Sequence, residues 1–139
     1  MQPTFELFDH TADMGIRVTA PTLADLVRPA ADGLYAVIGD LVPGAAPRPA
    51  AWEFQGDDPA TLLRDYLGEL LLLFEKERRM VANPAQVDFT DQHLAIQAQT
   101  VLIDDARSAY EREVKAVTYH ELAVARIPGG WQATVIVDI

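Results

Sequence analysis

The spacing of apolar residues along the chain predicts a strand near its beginning and a helix directly after it. Met14, Ile16 and Val18 alternate with polar residues at a period of two, which is typical of a half-buried strand. Apolar residues then recur every three or four positions, which predicts a helix over 23–38. Pro29 lies inside this helix and predicts a kink, because proline lacks the amide hydrogen that an interior helical turn uses.

The most strongly apolar segment, residues 62–79, predicts a second helix. Its apolar side chains fill one face and, at Leu72 and Leu73, most of the circumference, so we expect it to be the buried central helix. Asp58 provides an acidic cap before it, and Pro59 is tolerated in its first turn.

The remaining segments are predicted to be loops or strands. Residues 42–50 contain three prolines and a glycine and predict an irregular surface connection. Extended patterns predict strands over 52–54, 80–89 with a break at Asn83 and Pro84, 94–100, 113–119, 122–127 and 131–139. Strands precede and follow the two helices, but strands and helices do not alternate strictly along the chain, and this order predicts an α+β fold. We expect a single domain over residues 1–139, with two main helices packed on a mixed or antiparallel sheet.

Charge and composition narrow the classes of function. The chain has 21 Asp and Glu against 11 Lys and Arg, a formal net charge of −10. Such a surface repels phosphate backbones and anionic lipids, so we expect no stable direct nucleic-acid binding and no membrane binding. It suits a hard cation or a basic protein partner, and it equally fits an ordinary solvated surface. The absence of cysteine excludes thiolate metal sites, and the absence of a basic, apolar leader predicts a cytoplasmic protein.

Two acidic segments are candidates for a cation site. One is the cluster that contains Asp9, His10 and Asp13; the other is the end of the last strand, where Asp138 precedes the main-chain carboxylate of Ile139. If the first and last strands end at the same side of the sheet, Asp13, Asp138 and the Ile139 carboxylate form an all-oxygen site for a hard divalent ion. The residues alone leave two simpler interpretations open, a turn that closes the first strand and two carboxylates that face water.

Three basic side chains are candidates for the surroundings of such a site. Lys115, one of two lysines, lies among predicted strand residues and could pair with an aspartate, a phosphate or a partner's carboxylate, or simply face water. His10 and His120 could be ligands or acid–base groups near pH 7, or purely structural. No glycine-rich phosphate loop and no Gly-x-Ser-x-Gly motif is present, so nothing supports nucleotide hydrolysis or acyl transfer by these templates.

Taken in order, these segments resemble the archease family. The resemblance is carried by FDHTADMGI at 8–16, the helical pattern at 22–35, LGELLLLF at 67–74, VKAVTYH at 114–120 and GWQATVIVDI at 130–139, and it spans essentially the whole chain. It implies an archease-like α+β fold. It also implies a bound divalent metal, calcium first with magnesium or manganese as alternatives, held by Asp13, Asp138 and Ile139, with His10, Lys115 and His120 around it.

The same resemblance implies a function. Archeases activate the RNA-splicing ligase, which carries manganese and GTP, by promoting guanylylation of its active-site histidine and so permitting multiple turnover. The expected protein is therefore a metal-binding accessory factor in tRNA splicing and RNA repair, with no catalytic residues of its own and a transient ligase partner. Two alternatives stay open: a metal-dependent phosphoesterase acting alone, with His10 or His120 as base, and a chaperone-like binding module.

Overall fold

Two helices pack against three antiparallel sheets in the computed structural model, which describes residues 1–139. The helices are α1, Val27–Ile38, preceded by a 3-10 turn at Ala24–Leu26, and α2, Pro59–Glu77. The strands are β1 Thr4–His10, β2 Asp13–Ala20, β3 Gly39–Asp40, β4 Arg48–Gln55, β5 Arg79–Phe89, β6 His93–Leu102, β7 Ala109–Tyr110, β8 Ala116–Val117, β9 Ala123–Ile127 and β10 Gly130–Asp138. The predicted α+β class is confirmed.

The second strand, β2, and the last strand, β10, are neighbours in the largest sheet. Its order is β1-β2-β10-β8, and β9 also pairs with β10. The pairing of β2 with β10 runs from Ala20 opposite Trp131 to Asp13 opposite Asp138. Because side chains alternate between faces, this register buries Ile16 and Val135 together on the face that packs against the helices.

One hydrophobic core joins the helices and the two larger sheets. β4, β6 and β5 form a three-stranded sheet in that order, and the short strands β3 and β7 pair separately. The core includes the buried side chains of Leu34 in α1, Leu67 in α2, Ile16 in β2 and Ile96 in β6. The apolar stripe of α2 is buried along its length, as its pattern predicts, but Leu72 on the opposite side is exposed, so the helix is not buried all round. The Asp58 side chain caps the helix by accepting a 3.0 Å hydrogen bond from the Thr61 amide.

The first helix begins later than its apolar pattern predicts, and this removes the expected kink. The segment 23–38 divides into the 3-10 turn and α1, so Pro29 is the third residue of α1. Amides in the first turn of an α-helix have no acceptor within the helix. The amide hydrogen that Pro29 lacks would have had no acceptor within the helix, so its absence breaks no helical hydrogen bond.

The prediction of an irregular connection over 42–50 is wrong at its end. Arg48, Pro49 and Ala50 belong to β4, which pairs with β6 along its whole length. β4 is an edge strand, where proline is tolerated because amides on the outer side need no partner strand. The predicted break at Asn83 and Pro84 is instead a pair of register shifts within the continuous edge strand β5.

The predicted strand over 113–119 is reduced to the two residues of β8. The Lys115 amide donates to the Asp138 carbonyl at 2.7 Å and the Thr118 amide to the Ile136 carbonyl at 3.0 Å, so residues 115–118 run along β10. The two residues directly before the predicted strand, Glu111 and Arg112, bond instead to the end of α1, where both amides donate to the Ile38 carbonyl. Regular pairing with β10 is therefore short.

Two buried tyrosines lie between the helices and the sheets. The Tyr35 hydroxyl of α1 accepts a 3.0 Å hydrogen bond from the Val81 amide, next to the first register shift of β5. Burial raises the pKa of the Tyr35 phenol and of the Tyr66 phenol above the ordinary value. Both are therefore held in the neutral form over the whole physiological range.

Replacement of Tyr35 by phenylalanine should lower the free energy of unfolding by about 1–3 kcal/mol, because the buried Val81 amide loses its acceptor. Urea denaturation followed by circular dichroism measures this. Tyr119→Phe, at a side chain that is 62% exposed, is the matched control and should change little. Equal effects of the two substitutions would contradict the assignment.

Stability should fall as the pH rises above about 10, the ordinary tyrosine pKa. The native state keeps its protons on Tyr35 and Tyr66 while the unfolded chain releases them, so each phenol lowers the stability by up to about 1.4 kcal/mol per pH unit. Urea midpoints between pH 9 and 11 should fall less steeply for Tyr35→Phe than for the unchanged chain. Parallel slopes would show that Tyr35 does not contribute.

Candidate metal centre at the ends of paired strands

Strand register brings three candidate residues into one row. Asp13 lies opposite Asp138 in the β2–β10 pair, and His10 lies opposite Asp13 in the β1–β2 pair. Residues directly opposite in antiparallel strands project from the same face, with Cβ atoms about 4.5–5.5 Å apart. The row therefore places the two aspartates side by side, both half-buried, with His10 next to Asp13.

A tight hairpin fixes one end of this row. Only Thr11 and Ala12 separate β1 from β2, and Ala12 takes a φ of 67°, in the left-handed region, so the chain reverses over two residues. This hairpin coexists with the acidic row. The other end is fixed by the Lys115 amide, which holds the Asp138 carbonyl.

The next row of the same face gives the site an apolar base. Phe8, Gly15 and Ile136 lie opposite one another across the three strands. The Phe8 ring covers Gly15 so closely that a Cβ atom there would overlap it, and Ile136 is fully buried although it lies on the face away from the helices. Gly15 is therefore required for the close approach of the ring.

His10 connects the aspartates to a residue that the sequence did not single out. Its Nδ1 atom lies 3.9 Å from Asp13 Oδ2 and is buried without a hydrogen-bond partner. Its Nε2 atom lies 2.5 Å from Glu121 Oε2. The His120 ring packs edge-on against the His10 ring, with 5.1 Å between centroids. Glu121 directly follows His120 in the sequence, but only the fold places it beside His10.

The predicted residues therefore gather at one end of the sheet, with one difference in detail. Ile139 follows Asp138 and is half-buried. Lys115 reaches the site through its backbone, and its side chain forms no ion pair with Asp13 or Asp138 within 4.0 Å. A charge-neutralising role for the Lys115 ammonium is thus absent from this conformation.

The donors present fit a hard divalent ion. Carboxylate oxygens are the ligands that calcium and magnesium prefer. Only His10 approaches Asp13 within 4.0 Å among the basic side chains, and none approaches Asp138 to that distance. Two neighbouring carboxylates without a cationic partner repel each other, and a bound cation would remove that repulsion.

Comparison with known proteins identifies the family. Residues 5–139 match the Archease protein family (MTH1598/TM1083). The chain belongs to the archease family. It is similar to the archease of Methanopyrus kandleri, with 33% identity over 97% of this chain and 99% of that protein. It is also similar to the archease of Methanosarcina mazei, with 32% identity over 97% of this chain and 95% of that protein.

Solved structures of family members have the same fold. The solution structure of Methanobacterium thermoautotrophicum protein 1598 aligns with a TM-score of 0.74 and 29% identity, over 97% of this chain and 98% of that one. The crystal structure of an archease and possible chaperone from Thermotoga maritima, TM1083, aligns with a TM-score of 0.64 over 96% of both chains. At 19% identity, the latter is similar in fold alone. Neither α1 nor α2 is long and apolar enough to cross a membrane.

In the presence of a chelator, Asp138→Asn should raise the melting temperature of this archease by roughly 2–4 °C, because like charges directly opposite on a sheet cost up to about 1 kcal/mol. Differential scanning calorimetry measures the shift. Asp91→Asn removes the same charge from an exposed turn and should leave the melting temperature nearly unchanged. A lower melting temperature for Asp138→Asn would contradict the repulsion.

Proposed function

We propose that this archease activates an RNA-splicing ligase by promoting guanylylation of the ligase's active-site histidine, and so supports multiple turnover in tRNA splicing and RNA repair. Two observations together support the proposal. Residues 5–139 match the archease family, and Asp13 and Asp138, to which the resemblance assigns the metal, lie opposite each other in paired strands. In this role the protein is an accessory factor, and the covalent chemistry takes place on the ligase.

The proposal assigns a divalent ion to the aspartate pair. Asp13, Asp138 and the main-chain carboxylate of Ile139 would hold it, with calcium first and magnesium or manganese as alternatives. When bound, the ion supplies positive charge that can attract a phosphate oxygen. Neighbouring backbone positions the two aspartates: the hairpin at Thr11 and Ala12 orients Asp13, and the Lys115 amide fixes the backbone of Asp138.

Charge supports a protein partner over a direct nucleic-acid partner. The chain carries a formal net charge of −10, which opposes binding to RNA on its own. A ligase that binds phosphates and a nucleotide must present basic groups near its active site, and an acidic partner complements them. We place the protein in the cytoplasm, where it would meet the ligase transiently.

Exposed side chains around β8, the strand that pairs with the end of β10, offer contacts for that partner. Tyr119 is 62% exposed, and the Arg64 guanidinium stacks over its ring at 4.4 Å. His120 and Lys115 are also exposed. Aromatic and arginine side chains are enriched at protein interfaces. These side chains would contact the ligase while the aspartate pair approaches its nucleotide site.

Asp138→Asn should reduce the rate of ligase guanylylation at least about tenfold relative to the unchanged archease, because the ion loses one of its carboxylate ligands. The assay uses the RNA-splicing ligase of the same genome with GTP and manganese, and it follows covalent attachment of GMP to the ligase. Asp91→Asn is the matched control and should retain full activation. A second variant, with one glycine added after Ile139, should also lose activation, because the terminal carboxylate becomes a neutral carbonyl.

Three results would overturn the proposal. The first is that the unchanged protein does not accelerate guanylylation. The second is that Asp138→Asn, shown to be folded by circular dichroism, activates as well as the control. The third is that the purified protein hydrolyses phosphoesters at a catalytic rate without ligase, which would favour the phosphoesterase alternative.

A further inference from the structure

A second group of ligand atoms lies beside the aspartate pair. One ligand atom from each of His10, His120 and Glu121 falls within 4.8 Å of the others. Glu121 Oε2 is 2.5 Å from His10 Nε2 and 3.8 Å from His120 Nε2. Two imidazoles and one carboxylate are therefore close enough to converge on one ion after small side-chain rotations.

The backbone holds these residues in place. His10 ends β1, and the turn that carries His120 and Glu121 is tied to β10 by Thr118. Both the amide and the hydroxyl of Thr118 donate to the Ile136 carbonyl, at 3.0 and 2.8 Å. The Thr118 hydroxyl also accepts a 3.1 Å hydrogen bond from the His120 amide. The two sides of the cluster are thus fixed to β1 and to β10, which lie on either side of β2 in one sheet.

The chemistry of this cluster differs from that of the aspartate pair. Two histidines and one glutamate are a ligand set of zinc in proteins, with ligand atoms about 2.0–2.2 Å from the ion and water completing the coordination. Calcium and magnesium instead prefer oxygen ligands. The side chains of His120 and Glu121 are 62% and 57% exposed, so they can open the short contact with His10 to admit an ion.

The unpartnered nitrogen of His10 is an independent indication. Its Nδ1 is buried, has no hydrogen-bond partner, and has Asp13 Oδ2 as a carboxylate neighbour at 3.9 Å. A histidine that binds a metal through one ring nitrogen typically donates the proton on its other nitrogen to a carboxylate. With Nε2 on an ion, Nδ1–H would face Asp13, and the small remaining distance could close as the ring turns.

We propose that His10, His120 and Glu121 form a second metal site for a borderline divalent ion of the zinc class, with Asp13 orienting the His10 ring. The site differs from the aspartate pair in its ligands and its metal preference. The proposal of this site holds whether or not the protein activates a ligase. Asp13 lies between the two sites, so occupation of one affects the geometry of the other.

The third histidine provides a natural control. His93 also has two carboxylate neighbours, Glu53 at 3.6 Å and Asp88 at 3.8 Å. These lie against opposite ring nitrogens, Nε2 and Nδ1, so one ion cannot bind both carboxylates together with a single nitrogen of His93. His93→Ala therefore removes an imidazole in a similar acidic environment without removing a convergent ligand set.

The test is isothermal titration of the chelator-treated full chain with zinc chloride, repeated with cobalt(II) to record its visible spectrum. Removal of one of three protein ligands should weaken the high-affinity site at least about tenfold, so His120→Ala and Glu121→Gln should each lose that binding. Both substitutions are at exposed side chains and should leave the fold intact. His93→Ala should bind zinc as the unchanged protein does.

Parallel titrations with calcium separate this site from the aspartate pair. His120→Ala should keep its calcium affinity, and Asp138→Asn should keep the zinc site with its cobalt(II) spectrum. The proposal is overturned if the unchanged chain binds no zinc, or if His93→Ala weakens zinc binding as much as His120→Ala does. It is equally overturned if Asp138→Asn abolishes zinc binding while His120→Ala does not, because the ion would then belong to the aspartates.

Discussion

The antiparallel pairing of β2 with β10 is the constraint on which the candidate site depends. It places Asp13 opposite Asp138, although the two residues lie near opposite ends of the chain. The alternation of side chains makes this register hard to change, because a shift by one residue would turn Asp138 toward the core and expose buried valines such as Val137. The hydrophobic pattern of the two strands therefore positions the acidic groups at their ends, without any direct attraction between those groups.

Much of the fold follows from local pattern, and the exceptions have tertiary causes. Helix α2 is evident from the sequence because its apolar stripe, acidic cap and first-turn proline agree with one another. Pro49 indicated a loop, since a sequence does not reveal that β4 lies at a sheet edge where proline is tolerated. The predicted strand over 113–119 pairs with β10 only around β8, and the amides directly before it, of Glu111 and Arg112, bond to the end of α1. Such long-range acceptors leave no local signal.

The candidate site is predictable in part for the same reason. The sequence singles out Asp13, Asp138 and His10 as candidate metal-binding residues, and their proximity follows once β2 lies between β1 and β10. Glu121 was missed because its significance comes from a turn that Thr118 anchors to β10, opposite the end of β1. His10 then lies between two chemically different groups: the Asp13 carboxylate is near its Nδ1 atom, and the Glu121 carboxylate is at its Nε2 atom. The His120 ring packs against the ring of His10. The two groups of ligand atoms that we propose as cation sites thus lie at one end of one sheet.

The central claim is that Asp13 and Asp138 share one ion, and a double-mutant cycle of calcium affinity tests it most directly. Calorimetric titration of the unchanged chain, Asp13→Asn, Asp138→Asn and the double variant measures the coupling between the two carboxylates. If both bind the same ion, each single substitution removes nearly all of the calcium affinity and the double substitution removes little more. Calcium binding by either single variant with the affinity of the unchanged chain, or losses that simply add, would contradict the account.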